Sequence, residues 1–150
     1  MRNIYAVTAM LILVPAVAAA QSSDMPQFEH GLLTLHVVGF KNDTGRAMIS
    51  LVNRREHFLS REYTPFRSAA VAIQEKQVRW DFDNLPPGEY AISVFHDENN
   101  NGDLDNNVLR IPTEDYGFSN DARGTFGPPD YEAASFQLNQ PRQEVTITVK

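Results

Sequence analysis

Cysteine is absent from the 150-residue sequence, and this absence removes several classes of chemistry at once. Without a thiol there is no cysteine nucleophile, no thiolate ligand for a metal ion and no disulfide bond. The folded chain must therefore be stabilised by an apolar core, helped by a bound ion if the sequence provides a site for one.

Positive charge is also scarce. Lysine and arginine total 13, against 19 aspartate and glutamate residues, which gives a formal net charge of -6. No cluster of basic residues interrupts this acidic balance. We therefore expect neither nucleic acid nor an anionic membrane surface as a partner, because both select for concentrated positive charge.

Recognisable catalytic motifs are missing as well. No serine lies in a G-x-S-x-G elbow, and the four histidines lack a ligand spacing such as H-E-x-x-H. The carboxylates of Asp81 and Asp83 alternate with Trp80 and Phe82, as expected for the solvated face of a strand. The sequence thus predicts a protein that is not an enzyme.

A sustained apolar run occurs at the N-terminus. Arg2 precedes apolar residues 6–14, and Pro15 and the small residues 16–20 follow them. This order predicts a secretory signal peptide over residues 1–20, cleaved after Ala20; a membrane span would need a longer run. Loss of Arg2 would change the net charge from -6 to -7. We expect the mature protein in the periplasm or outside the cell.

Beyond the signal, residues 21–30 are predicted to form a flexible lead, and residues 31–150 a single domain. Alternation of apolar and polar residues recurs through LLTLHVVGF, RAMISLVN, AAVAIQEK, QVRWDFDNL, EYAISVFHD, EAASFQLN and EVTITVK. About seven short strands separated by turn residues predict an all-β antiparallel β-sandwich, with a barrel as the alternative. The first two runs, joined by KNDTG, are predicted to form a hairpin.

One long segment, residues 109–130, has no periodicity and is rich in glycine and proline. Four aromatic residues lie in it or just after it: Tyr116, Phe118, Phe126 and Tyr131. We expect them to form a satellite cluster that anchors the segment, since a long loop without strands needs a small core of its own. A ligand-contacting aromatic surface is the alternative.

The stretch HDENNNGDLDNN, which begins at His96, contains part of a calcium loop. Counted from Asp97, side-chain oxygens occupy alternate positions and Gly102 is at position six, where a tight coil needs it. Position twelve should be glutamate and is Val108, so an acid outside the loop would complete the shell, Glu114 first and Asp115 second. The predicted calcium ligands are Asp97, Asn99, Asn101, Asp103, Asp105 and Glu114.

The alternative for this stretch is a polar turn without an ion. Asparagine, aspartate and glycine also build turns through hydrogen bonds to their own backbone. Against that alternative, carboxylates packed closely together repel one another unless a positive charge offsets them.

The block from Phe95 to Phe136 resembles a bacterial family of small secreted proteins known as a domain of unknown function. The features that match are a strand entering HDxNxNGxLD, then IPxExYGFSN, then GPPxxExAxF, with LPPGEYAISV before them. Arg110 and Asp115 depart from this pattern, because a small residue and a glycine are expected there. The resemblance implies an immunoglobulin- or transthyretin-like sandwich in the periplasm or outside the cell.

Three functional hypotheses follow. The first is a secreted, non-enzymatic binding or scaffolding module of the bacterial envelope, with calcium as its only expected cofactor and an envelope protein or carbohydrate as partner. The second hypothesis, from another class, is a hydrolase of envelope or carbohydrate substrates that uses the loop carboxylates. A purely structural envelope component is the third.

Overall fold

The structure, a computed structural model, describes residues 28–150. The predicted signal peptide and most of the predicted lead lie outside the described residues. Within residues 28–150, no helix is both long and apolar enough to cross a membrane.

The described chain is built mostly from strands. The strands are β1 (Gly31–Val38), β2 (Arg46–Val52), β3 (Arg67–Ala72), β4 (Gln77–Leu85), β5 (Gly88–Asp97), β6 (Tyr116–Phe118), β7 (Phe136–Leu138) and β8 (Arg142–Thr148). The helical elements are short: one α-helical turn, α1 (Tyr131–Ala134), and two 3₁₀ turns at Arg55–His57 and Ser119–Asp121.

These strands form two separate sheets. The smaller has the order β4-β1-β8, and the larger has the order β3-β2-β5-β6, with β7 also paired to β5. The predicted mostly-β chain with two sheets is confirmed, and the sheets do not close into the alternative barrel.

The sequence pattern predicts an antiparallel sandwich, but the structure contains one parallel pair of strands. β1 pairs with β4 in the antiparallel sense but with β8 in the parallel sense. Alternation of side chains fixes which residues point inward, but it carries no information on strand direction, so this pairing was not predictable from the pattern.

The predicted hairpin of the first two strands is also wrong. β1 belongs to the small sheet and β2 to the large one, so residues 39–45 cross between the sheets. Gly45 has a φ of +72°, and a Cβ there would collide with the carbonyl oxygen of Asp97. The crossing is therefore packed tightly against the end of β5, in a conformation that only glycine adopts easily.

The core lies between the inner faces of the two sheets. Its fully buried members include Leu33, Leu35 and Val37 on β1, and Ile49 and Leu51 on β2. These residues are the inward sets that the alternation predicts, because successive side chains of a strand point to opposite faces.

A second, smaller cluster lies under the long irregular segment. Phe118 and Tyr131 are buried in it, and Tyr116 packs against it, which confirms the expected satellite cluster for these three aromatics. Phe126 lies fully exposed and is not a member. The buried hydroxyl of Ser119 accepts the N–H of Ile92 and donates to the carbonyl of Ala134, so it joins β5 to α1.

Candidate functional site

The polar loop, residues 98–115, connects β5 to β6 at one end of the large sheet. β5 and β6 are paired there, with Phe95 opposite Tyr116. The backbone of Tyr116 also exchanges hydrogen bonds with Lys150, at 3.2 Å in each direction. Both ends of the loop are therefore held by strands, and the conformation between them depends on the hydrogen bonds that its own side chains make.

Asp97 organises the first turn of the loop. Its buried carboxylate accepts the N–H of Asn101 on one oxygen and the N–H of Gly102 on the other, both at 3.0 Å. Gly102 has a φ of +84°, which allows the chain to coil back over Asp97. The tight turn expected from glycine at position six is present.

Asn99 and Asn101 hold the carboxylate of Asp105 between them. The Nδ2 group of Asn99 donates to Oδ2 of Asp105 at 2.7 Å, and that of Asn101 donates to Oδ1 at 2.9 Å. Their own Oδ1 atoms accept the backbone N–H groups of Asn101 and Asp103, at 3.0 and 2.8 Å. These three polar side chains thus share one compact network.

Glu114 closes this network from outside the first turn. Its buried carboxylate accepts the N–H of Glu98 on one oxygen and the N–H of Asp105 on the other, both at 2.9 Å. The N–H of Thr113 in turn donates to the carbonyl of Asp105 at 2.9 Å. Glu114 therefore bridges the two ends of the calcium-like stretch, in the place where its closing acid was expected.

The structure thus brings five of the six predicted ligands into one network: Asp97, Asn99, Asn101, Asp105 and Glu114. The sixth, Asp103, contributes its backbone N–H, and its side chain is exposed at the edge of the loop.

The donor set of this network fits a hard cation only with help from amides. Within residues 28–150, no three carboxylates or imidazoles lie close enough together to hold a metal ion by themselves. The oxygens of Asp97, Asp105 and Glu114 each accept one hydrogen bond, which leaves further lone pairs on every carboxylate. Calcium would need the amide oxygens of Asn99 and Asn101 to turn toward Asp105 in place of their N–H groups.

Asp115, the second candidate acid, is used differently. Its Oδ1 atom lies 3.0 Å from the Nζ of Lys41, which also donates to the carbonyl of Thr113 at 3.4 Å. The hydrogen bond from Lys41 to Asp115 raises the pKa of this lysine above its usual value. Among the described residues no group bonds to Oδ2 of Asp115, although that atom is buried.

Lys41 was missed by the sequence reasoning. It lies in the KNDTG turn, whose residues predict only a connection between strands, and it is 74 residues from Asp115. No local motif links the two positions; only the folded chain shows that the turn after β1 reaches the base of the polar loop.

His96 packs at the end of β5, where the polar loop begins. Its ring is fully buried, edge-on to Phe40, and its Nε2 lies 2.7 Å from the carbonyl of Thr44, so this nitrogen donates. Its Nδ1 lies 3.7 Å from Oε1 of Glu98. His96 thereby fastens the crossing residues 39–45 to β5.

A cleft of the described chain lies elsewhere. It has a volume of about 760 Å³ and is bordered by β1, β3 and β4. Its acids are Asp43 and Glu75, and none of the six predicted metal ligands lines it. The carboxylate of Asp43 accepts the N–H groups of Glu75 and Lys76, so it shapes the turn between β3 and β4.

Similarity to known proteins is found at the level of the family. No curated protein matches the chain, and no solved structure matches it. The family described as "Uncharacterized protein conserved in bacteria (DUF2141)" matches residues 35–146. The resemblance to a bacterial family of unknown function is confirmed at this level, while the motif block and the transthyretin-like type stay predictions. Because the match covers most of the domain, the chain belongs to this family of uncharacterized proteins conserved in bacteria.

Proposed function

We propose that this protein is a secreted, non-enzymatic binding or scaffolding module of the bacterial envelope whose polar loop binds calcium. Its sandwich is of the immunoglobulin or transthyretin type, and its partner is an envelope protein or carbohydrate. The calcium-bound loop locks the long segment, residues 106–129, onto the end of the sandwich, where that segment becomes a rigid surface for the partner.

The observation that carries this proposal is the bridge made by Glu114. The calcium-like stretch lacks a closing glutamate at position twelve, and Glu114 reaches back to both of its ends through Glu98 and Asp105. A purely polar turn has no need of an acid supplied from a distant position. The bridge therefore supports a loop built to concentrate negative charge around one point.

The arrangement also suggests how the ion is accommodated. Two amide N–H groups now offset the charge of Asp105, and they come from Asn99 and Asn101. Rotation of both amides presents their oxygens beside the carboxylate of Asp105, and the carboxylates of Asp97 and Glu114 then move toward the ion to complete the shell. Calcium prefers such oxygen-rich and flexible shells, whereas magnesium demands rigid octahedral geometry and keeps its waters.

Isothermal titration calorimetry with calcium chloride, at constant ionic strength, tests this function. We expect one saturable event with a Kd on the order of 10⁻⁴–10⁻³ M, the range of extracellular calcium modules, and a weaker response to magnesium. The variants Asp105→Ala and Glu114→Gln should lose it, because each removes one carboxylate from the shell. Asp83→Ala removes an exposed carboxylate of β4 and is the matched control.

Two results would contradict the proposal. One is the absence of saturable calcium binding by the native protein at millimolar calcium. The other is equal binding by the native protein and by Asp105→Ala, which would place the ion elsewhere on this acidic chain.

A further inference from the structure

A short apolar tip projects from the polar loop. We define it as residues 106–112, where Asn106 and Pro112 are bridged at the base. Val108, Leu109 and Ile111 are 99%, 75% and 55% exposed. Three large aliphatic side chains are thus exposed within four residues, and clustered exposed apolar residues on soluble proteins mark sites of interaction.

The tip is ordered by a single side chain at its base. The Oδ1 atom of Asn107 accepts the N–H groups of Leu109 and Ile111, at 2.9 and 3.1 Å. The backbone of Asn107 also donates to the carbonyl of Ile111 and accepts the N–H of Arg110, both at 2.9 Å. Four backbone N–H groups, those of Asn107, Leu109, Arg110 and Ile111, are therefore satisfied within the tip itself.

These internal hydrogen bonds affect which surroundings the tip can enter. A backbone N–H that enters an apolar medium without a partner costs free energy comparable to a lost hydrogen bond. A loop that merely faces water obtains those bonds from solvent. The tip supplies four of these bonds itself, which lowers the free-energy cost of its entry into an apolar layer.

Arg110 supplies the charge that complements a phospholipid. It lies between Leu109 and Ile111, has a φ of +60° and is exposed. A guanidinium binds phosphate oxygens through paired hydrogen bonds, and its long stem can lie along apolar chains while the head stays in the polar layer.

We propose that the apolar tip inserts into the interfacial layer of a phospholipid bilayer, with Val108, Leu109 and Ile111 among the acyl chains and Arg110 on the phosphates. The charge of the chain does not forbid this, because zwitterionic lipids present phosphate without net negative charge. For anionic lipids the acidic loop behind the tip is repulsive, and binding there requires calcium in the loop; this dependence alone rests on the proposed function.

Vesicle sedimentation with the full mature chain, residues 21–150, tests the proposal. We expect the native protein to sediment with phosphatidylcholine vesicles in the presence of EGTA. The double variant Val108→Ser/Leu109→Ser should bind about a hundredfold less or weaker still, since each buried aliphatic side chain contributes about one factor of ten or more. Phe126→Ser removes a fully exposed aromatic outside the tip and should bind like the native protein.

Addition of phosphatidylglycerol separates this inference from the calcium proposal. We expect binding to these anionic vesicles to be weak in EGTA and restored by millimolar calcium. If calorimetry shows no calcium site, the phosphatidylcholine result still decides the role of the tip, because that arm contains chelator.

A tryptophan reporter locates the contact. In a Trp80→Phe background, Leu109→Trp should shift its emission to shorter wavelength when phosphatidylcholine vesicles are added. Sedimentation without such a shift would overturn the proposal, as would equal binding by the double variant and the native protein. Failure of the native protein to bind phosphatidylcholine would also overturn it. In that case, self-association lost in the double variant would identify the tip as a contact between copies of the chain.

Discussion

The carboxylate of Asp115 is buried at the base of the polar loop, and Lys41 is the cation that lies against it. Replacement of Lys41 by methionine keeps the length of the side chain but leaves the acid without its partner. We expect the free energy of unfolding at neutral pH to fall by about 1–2 kcal/mol, a figure reduced for the exposure of the lysine. Urea denaturation of Lys41→Met measures it, with Lys76→Met on an exposed turn as the control.

The pH dependence of this pair has a definite sign. The partner raises the pKa of Lys41 above 10.5, so the folded state holds the proton more tightly than the unfolded state does. The stabilisation is therefore complete below the unfolded pKa and is lost as the pH rises through the folded one. The difference between native protein and Lys41→Met should narrow as the pH rises through the raised pKa of Lys41, and a difference that widened there would contradict the assignment.

The element that determines the shape of the site is the loop between β5 and β6, and Glu114 is its fastening point. Glu114→Ala removes the acceptor for the N–H groups of Glu98 and Asp105. We expect these two amides to exchange with solvent about tenfold faster or more, since a hydrogen bond to a charged group contributes about 1.5–3 kcal/mol. Hydrogen exchange followed by NMR measures this residue by residue.

The sheets supply the internal reference for that experiment. Amides of β1 should exchange in Glu114→Ala as they do in the native protein, because the loop lies at the end of the sandwich and not in its core. Glu75→Ala, which alters an exposed acid on another turn, should leave the amides of Glu98 and Asp105 unchanged. Faster exchange throughout the sheets would mean that Glu114 stabilises the whole domain.

At the level of elements, the sequence predicted what depends on local periodicity. The inward sets of β1 and β2 follow from alternation, and the coil around Gly102 follows from spacing. Glu114 could be predicted as the closing acid because the calcium-like stretch lacks a glutamate at position twelve, and Glu114 is the first candidate outside the loop.

What the sequence could not predict depends on long-range packing. Nothing local distinguishes a strand that pairs in parallel, as β8 does with β1, from one that pairs in the antiparallel sense. Because local sequence also does not show which sheet a strand joins, it predicts a hairpin where residues 39–45 in fact cross between the sheets. Lys41 lies on that crossing, so its position beside Asp115 was hidden by the same error.

The described residues have their main core between two sheets, and the stability of the domain should depend on that core more than on the loop or the tip. Leu35, fully buried at the centre of β1, tests this directly. Leu35→Ala should reduce the free energy of unfolding by about 3 kcal/mol, through lost burial and the cavity left behind. Urea denaturation measures the loss, and Leu109→Ala, on the exposed tip, should change stability by less than about 0.5 kcal/mol.

The melting temperature of the whole domain, measured by calorimetry in calcium and in EGTA at equal ionic strength, tests the central claim most directly. For a Kd of about 1 mM, calcium at about 10 mM should stabilise the native state by about 1.4 kcal/mol. For a domain of this size the melting temperature should then rise by about 4–8 °C. Glu114→Gln should melt at the same temperature with and without calcium. An unchanged melting temperature of the native protein would contradict the account, because an ion that binds only the folded loop must stabilise it.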